Sequence, residues 1–518
     1  RHSGRALGDA QQRDMTGVTD DHALYARFLR GLALAPDRPA VRDGDRVLTY
    51  AELHEHALRL AGALLDVVGA RPKAVGVLAG KSVESYAGIL AGLYSGAAVA
   101  PLHPDFPVER TRRMLTAADV SVVLGDAHGR RMLDEIAASG TDIPVIGLDR
   151  PAAGTALDAP LPVAPTDIAY LLFTSGSTGR PKGVPITHAS TAHYFRLMDE
   201  RYDFGPDDVF SQTFDLNFDC AMFDMFCAWG AGASVHPVPA TAYLDLPAFL
   251  AERRMTVWFS TPSGIVLVRK RGGLTPGSMP TLRWSLFAGE ALRGDDAADW
   301  QAAAPGSTLE NIYGPTELTI TVTGHRWSPE TSPGLCVNGL APIGTVHEGH
   351  DWLLRTADGE HSDTEGELCI TGPQLTSGYL DPDDNEGRFL HHDGRGWYRT
   401  GDRVRVLPNG ELVYLGRLDS QVQVQGWRVE LAEIEHALRS CPGVQDAVAV
   451  TRTVEGTTEL VTFYTGVPTQ QAELAGRLRR VLPSGLLPRE YRHVEDFPLN
   501  SNRKVDRARL AREAAGID

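Results

Sequence analysis

Cysteine is scarce in this chain and never closely paired. The five cysteines, Cys220, Cys227, Cys336, Cys369 and Cys441, form no C-x-x-C, which excludes a zinc ribbon and gives no sign of a disulfide framework. A reducing, cytoplasmic compartment fits that usage. No apolar run reaches about 18 residues, so the sequence carries no membrane-span signal. Positive charge is also in deficit: 50 Lys and Arg against 66 Asp and Glu leave a net charge of −16. Nucleic acid and anionic membranes are thereby disfavoured as partners, since both need a basic face. Any bound phosphate must be gripped by a local set of donors. There is no internal repeat and no low-complexity tract. The H-E-x-x-H spacing is missing too, so "HEGH" at 347–350 and "HH" at 391–392 read as surface histidines.

What is present is ordinary globular material. The 518 residues, 42 % hydrophobic and 22 % charged, suffice for two or three domains. Residues 1–14 read as leader or cloning-derived sequence, with Met15 a natural start. Short apolar runs alternate with helical patterns, as in "AVGVLAG" then "SVESYAGILAGLYSG". That predicts an α/β fold with mixed and parallel sheets over a large, multi-subdomain part from 15 to 418. Residues 149–167, rich in Pro and Ala, read as a surface connection. The texture changes near 405–420, and a small α+β domain is expected from 419 to 518. "RKRGG" at 269–273 reads as a solvated turn.

The most telling stretch is "YLLFTSGSTGRPKGVPIT", residues 170–187. Two apolar strands flank a loop whose glycines permit the turns that aim backbone N–H groups inward. Thr174, Ser175, Gly176, Ser177, Thr178 and Gly179 supply donors, and Lys182 a positive charge, so the loop is built to hold phosphate. It is not the common P-loop: Pro181 precedes the lysine, Gly183 follows it, and a strand succeeds the loop. The hydroxyl that would hold magnesium is missing, so the metal must be bound elsewhere.

Seven other motifs accompany this loop in order: "LTYAEL" (48–53), "SGAAVAPLHPDFP" (95–107), "NIYGPTE" (311–317), "GELCITGPQLTSGYL" (366–380), "YRTGD" (398–402), "GRLDSQVQVQGWRVELAEIE" (416–435) and "NSNRKVDR" (500–507). Together they resemble the adenylate-forming enzymes, and most closely the amino-acid adenylation domains of nonribosomal peptide synthesis. The chain ends soon after the last motif, which reads as a freestanding domain. The resemblance implies ATP and Mg²⁺ as cofactors and two half-reactions. An amino acid is converted to aminoacyl-AMP, and the acyl group then passes to the phosphopantetheine thiol of a separate carrier protein. A small MbtH-like activator is a further partner the resemblance admits. Two rivals stand beside this reading: an acyl- or aryl-CoA ligase of the same superfamily, and an inactive binding protein on the same fold.

By the same resemblance, Gly289, Glu290 and Ala291 line the adenine, with Asn311, Tyr313, Gly314 and Thr316 beside them. Tyr313 has a ring that can stack on a purine. Asp402 and Arg417 hold the ribose, Glu317 holds Mg²⁺, Thr174 acts with the phosphate loop, and Asp419 is the hinge. Lys504 reaches between the carboxylate and the α-phosphate. Asp219 is chosen over Asp215 as the partner of the substrate ammonium, because Asp224-Met225-Phe226 follows it at the family's spacing. A helix N-cap is the bland alternative for Asp219. Cys220, Phe223, Phe259, Leu286, Ala288, Ile312, Ile320 and Thr321 line the pocket. Such a lining has no charge, so it disfavours polar side chains and suits a small to medium apolar amino acid such as valine, isoleucine or proline. Two departures from the family pattern stand out. Gln423 and Gln425 replace a lysine and an arginine, and Arg503 replaces the glycine before Lys504.

Overall fold

The computed structural model describes residues 21–176, 180–419, 421–498 and 505–517. The 1–14 segment, Ser177, Thr178, Gly179, Arg503 and Lys504 lie outside the described residues.

Two large sheets carry most of the chain. One runs in the order Val145–Gly147, Val122–Gly125, Ala74–Leu78, Ala98–Leu102, Ile168–Thr174, Lys182–Thr187. All neighbours are parallel except the last pair, which is antiparallel with Thr174 opposite Lys182. The phosphate-loop candidate is therefore the turn of a hairpin at the edge of a parallel sheet. The second sheet has nine strands, with a parallel centre that includes Val257–Ser260, Trp284–Phe287 and Thr308–Tyr313. Parallel strands are covered on both faces and so are apolar throughout, as "AVGVL" at 74–78 is.

The helices between the sheets obey the same rule. In Val83–Tyr94 every residue but Glu84 is buried, which suits a helix that is apolar all round. "LTYAEL" is a helix start. The Thr49 hydroxyl accepts from the Glu52 N–H, and the Glu52 carboxylate accepts from the Thr49 N–H at 2.9 Å, a capping box for Tyr50–Val68. One core joins both sheets and the helices between them, with Tyr50, Tyr86, Tyr170, Tyr194, Phe223 and Phe259 among its members.

A third sheet contains Glu365–Thr371, Arg395–Val406 and Leu412–Arg417. Beyond it the chain forms a separate ribbon, Gln421–Val424 against Trp427–Glu430. The helix Leu431–Arg439 and a sheet of Val444–Val454, Thr457–Gly466 and Glu490–His493 follow. This small α+β unit has its own core around Ile434, Leu438, Leu460 and Leu478.

The histidine expectation needs correcting. His391 and His392 are exposed, but His347 is buried with neither ring nitrogen partnered, and burial pushes its pKa down to about 3. His350 is half-buried and its Nε2 accepts from the Gln374 N–H at 3.3 Å. Sequence spacing carried no sign that this turn folds against the body of the protein. "RKRGG" likewise divides. Arg269 and Lys270 close the helix Ser263–Lys270, where Arg269 pairs with Asp296 and Asp299, and only the rest forms a turn. No helix is long and apolar enough to cross a membrane among the described residues.

Candidate functional site

The C-terminal ends of the parallel strands open on a cleft of about 600 Å³. Asp219, Cys220, Ala288, Gly289, Glu290, Ala291 and Asn311 to Thr316 line it, with Ile320, Asp402, Arg417 and Asp419. Residues spread over two hundred positions of sequence thus converge on one space. Asn311 spends its amide N–H on the Pro342 carbonyl at 2.8 Å.

Asp219 is the first residue of the helix Asp219–Gly230, whose N-cap is Phe218 and makes no side-chain cap bond. The aspartate is therefore not the N-cap. It is buried, and its Oδ2 has no hydrogen-bond partner. Burial pushes its pKa up to about 7, only partly offset by hydrogen bonding at Cys220, while the charge of Glu317 raises it further. A buried carboxylate with one oxygen left unpartnered beside a cleft is costly unless a cation arrives. Asp215, by contrast, pairs with His103 at 3.5 Å.

Around Asp219 the cleft surface is Cys220, Ala288, Ile312 and Ile320, with Phe214 beside them. Phe223, Phe259 and Leu286 are wholly buried. The rings of Phe214 and Phe259 lie 4.8 Å apart, and those of Phe223 and Phe259 5.0 Å. The Thr321 hydroxyl is hydrogen-bonded to the Tyr194 hydroxyl at 2.9 Å. Beside Asp219 and the Cys220 thiol, the buried Tyr170 hydroxyl also has no hydrogen-bond partner.

The wall carrying Ile320 is strained. Thr319 and Ile320 are β-branched, yet they adopt φ of 59° and 67°. Buried Gln374 holds them there, its Nε2 donating to the carbonyls of Leu318 and Thr321 at 2.9 Å each and of Thr319 at 3.3 Å. Gln374→Leu strands these acceptors. It is expected to cost about 1–3 kcal/mol in chemical denaturation and to raise the KM for the carboxylate substrate more than that for the nucleotide.

At the other end of the cleft, the Tyr313 hydroxyl donates to Asp402 Oδ2 at 2.5 Å, and Arg417 donates to Asp402 Oδ1 at 2.9 Å. Arg417 also holds Asp419 at 2.5 Å, and Arg388 reaches the same carboxylate at 3.2 Å. Asp419 therefore sits under a double clamp between the third sheet and the 421–430 ribbon.

The ribbon contributes what sequence reading missed. Gly426 N–H donates to Glu290 Oε1 at 2.7 Å. The Gln423 amide lies against the Gly289 carbonyl at 2.8 Å, and turned with its nitrogen toward that carbonyl it donates to it. Trp427 packs edge-on against Phe218, with centroids 5.4 Å apart. Arg428 Nη1 donates to Glu317 Oε2 at 2.7 Å, and the Tyr379 hydroxyl donates to Glu317 Oε1 at 2.6 Å. Burial works to raise the Glu317 pKa, but the Arg428 charge and hydrogen bond overrule it and hold the carboxyl at about 2. The Ser175 hydroxyl donates to the Arg428 carbonyl at 2.7 Å and accepts from the Glu430 N–H at 3.0 Å. Lys182 is buried with its Nζ 5.4 Å from the Tyr379 ring, and burial lowers its pKa. Arg428 lies in "GWRVE", inside the motif read at 416–435.

Comparison with known proteins agrees with this architecture. The AMP-binding enzyme family model matches residues 28–380, and its C-terminal domain model matches 433–504. The L-proline--[L-prolyl-carrier protein] ligase of Streptomyces coelicolor is 34 % identical over 92 % of this chain and 94 % of its own. The chain spans 45 % of one larger matched protein, the phosphinothricin tripeptide synthetase PhsC of Streptomyces viridochromogenes. The crystal structure of IdnL7 is 57 % identical, with a TM-score of 0.74 over 96 % of this chain and 99 % of that one. The Vibrio cholerae adenylation domain AlmE, solved with glycyl-adenosine-5'-phosphate, is 28 % identical with a TM-score of 0.84 over 95 % of this chain and 98 % of that one. The chain belongs to the AMP-binding enzyme family.

Proposed function

We propose that this protein activates a small to medium apolar amino acid as aminoacyl-AMP and passes it to the phosphopantetheine thiol of a carrier protein. The buried carboxylate of Asp219, with its Oδ2 left without a partner, carries this reading, because an apolar pocket with one anion at its rim fits an ammonium and an aliphatic side chain. Cys220, Ala288, Ile312 and Ile320 bound a space for a side chain of valine, isoleucine or proline size or smaller. A CoA ligase substrate has no ammonium, and a buried anion beside its carboxylate would repel it. The carrier ligase from Streptomyces coelicolor supports a carrier as acceptor.

The first step forms a bond between the substrate carboxylate oxygen and the α-phosphorus and breaks the α–β bridging bond, releasing pyrophosphate. Positioning and charge neutralisation do this work. Asp219 holds the ammonium, Asp402 and Arg417 the ribose, Gly289 to Ala291 the adenine edge, and the Thr174–Lys182 loop the phosphates. Glu317 suits Mg²⁺: it is an ionised, buried carboxylate that already holds a cation, and Mg²⁺ takes few protein carboxylates besides phosphate oxygens. Among the described residues no cluster of three or more His, Cys, Asp or Glu offers a metal cage. When bound, the metal neutralises phosphate charge. Lys504 is proposed to neutralise the two reacting anions. In the second step the thiol sulfur attacks the acyl carbon, AMP leaves with the electron pair, and the thiol proton passes to solvent. We assign this step to the orientation with the 421–430 ribbon against the cleft, reached by turning at Asp419. Intact mass measurement of a phosphopantetheinylated carrier, incubated with enzyme, ATP and valine, isoleucine, proline or alanine, tests the second step. An aminoacyl mass increase is expected, and an unmodified carrier with every amino acid would refute it.

The Asp219 pKa gives a signed pH dependence. The empty site holds the proton below about pH 7, whereas the ammonium complex needs the carboxylate ionised. Binding therefore strengthens as pH rises to about 7 and weakens below it, by up to about tenfold per pH unit for one linked proton. Calorimetry in two buffers at pH 6 is expected to find proton release on amino-acid binding, and Asp219→Asn abolishes it.

A further inference from the structure

Residues 213–218 join the strand Val209–Gln212 to the helix that begins at Asp219. Polar bonds fix this connection. Lys81 Nζ donates to the Thr213 carbonyl at 2.9 Å, and Gln212 Nε2 donates to the Phe214 carbonyl at 2.6 Å. The carbonyls on both sides of the Phe214 Cα are thus held. The Tyr86 hydroxyl donates to Gln212 Oε1 at 2.8 Å and orients that amide. The Thr213 hydroxyl donates to the Phe259 carbonyl at 2.6 Å, which ties the connection to the neighbouring strand Val257–Ser260. His103 pairs with Asp215 on the far side of Phe214 in sequence, at 3.5 Å.

The residue displayed by this connection is aromatic and meets the cleft. Phe223 and Phe259 hold positions that the resemblance gives to the pocket, yet both are wholly buried and neither lines the cleft. Phe214 is half-buried and does line it, together with Cys220, Ala288, Ile312 and Ile320. Its ring packs edge-on against Phe259 at 4.8 Å, and Phe259 packs edge-on against Phe223 at 5.0 Å. The space behind Phe214 is therefore filled by close-packed rings.

We propose that Phe214 sets the upper size of the amino-acid side chain, its ring being the wall that a side chain longer than that of isoleucine meets. This rests on the reading that Asp219 holds the substrate ammonium and so fixes where the side chain starts. The ring cannot swing aside, because both flanking carbonyls are bonded. It cannot sink, because Phe259 stands behind it. Alanine and valine stop short of such a wall, whereas methionine and phenylalanine run into it. Exclusion by an unyielding wall is what lets an apolar pocket reject a larger homologue, since the same pocket gains only modestly by contact with a smaller one. A phenylalanine that merely packed the core would, on truncation, lower the rates with all amino acids together.

The test is pyrophosphate exchange by the full chain with alanine, valine, isoleucine, methionine and phenylalanine, read as ratios of kcat/KM. A ratio between two substrates cancels any loss common to both from weakened folding. Phe214→Ala is expected to raise the methionine-to-valine and phenylalanine-to-valine ratios about tenfold or more, the scale of one or two methylenes in an apolar pocket. Phe214→Leu keeps apolar bulk against Phe259. It is expected to move the ratios the same way by a smaller factor, and it serves where the alanine variant does not fold. Phe214→Trp is expected to act in the opposite sense, lowering the isoleucine-to-alanine ratio about tenfold. Ratios within about threefold of wild type in the folded truncation would overturn the proposal. So would a Phe214→Trp protein that keeps the wild-type isoleucine-to-alanine ratio. No exchange with any amino acid in the wild-type protein is a different failure: it sinks the Asp219 reading first, and the proposal with it.

Discussion

Lys504→Ala is expected to slow aminoacyl-AMP formation by roughly 10²–10³, or about 3–4 kcal/mol, the usual loss for one preorganised charge-stabilising donor. The reason lies in the chemistry of the step. A carboxylate must approach an anionic phosphate, and their repulsion is what the site has to overcome. Lysine between them neutralises charge where it builds up. Lys504 belongs to "NSNRKVDR", more than three hundred residues after the phosphate loop. In the structure the small unit turns its 421–430 ribbon, through Gly426 and Arg428, toward the cleft. On our reading Lys504 serves the opposite orientation. Transfer from pre-made aminoacyl-AMP to the carrier is therefore expected to remain within about threefold of wild type, and ATP binding likewise, a difference of less than about 1 kcal/mol. Rapid-quench measurement of the two steps separates them. Equal loss in both would assign Lys504 a structural role, and no loss in either a solvated surface position.

Asp219→Ala is expected to weaken amino-acid binding by roughly 3–5 kcal/mol, the scale for leaving one member of a buried ion pair alone. In the empty enzyme the same change is expected to do no harm to the fold. Asp219 Oδ2 has no partner to lose, and the helix N-cap is Phe218. The substitution thus separates function from stability: substrate affinity collapses while the denaturation midpoint holds or rises. Equilibrium denaturation beside amino-acid titration measures both. Activity within about threefold of wild type, below 1 kcal/mol, would leave Asp219 without a role in substrate binding.

Much of the fold was legible because its rules are local. Apolar runs such as "AVGVL" became buried parallel strands, and Thr49 with Glu52 became a capping box. Ile168–Thr174 and Lys182–Thr187 fell where the loop reading put strands. The cleft residues were legible through their motifs, since Asp219, Tyr313, Asp402 and Arg417 each sit in a recognisable stretch. What was not legible depends on contacts between segments distant in sequence. His347 looked like a surface histidine because nothing in "HEGH" tells which side of the turn meets the protein body. Gln374 looked like one residue of "GPQLTSGYL", and only the structure gives its three carbonyl partners and the strained Thr319–Ile320 they restrain. Arg428 looked like part of a strand near a hinge. Its bond to Glu317 crosses more than a hundred residues of sequence.

The most direct measurement is amino-acid-dependent exchange of labelled pyrophosphate into ATP across the twenty amino acids, with fatty and aryl acids alongside. It reads the first half-reaction without needing the carrier. Exchange is expected with one or a few apolar amino acids no larger than isoleucine, to depend on Mg²⁺, and to vanish in Asp219→Ala. Exchange with fatty or aryl acids and none with any amino acid would contradict the account.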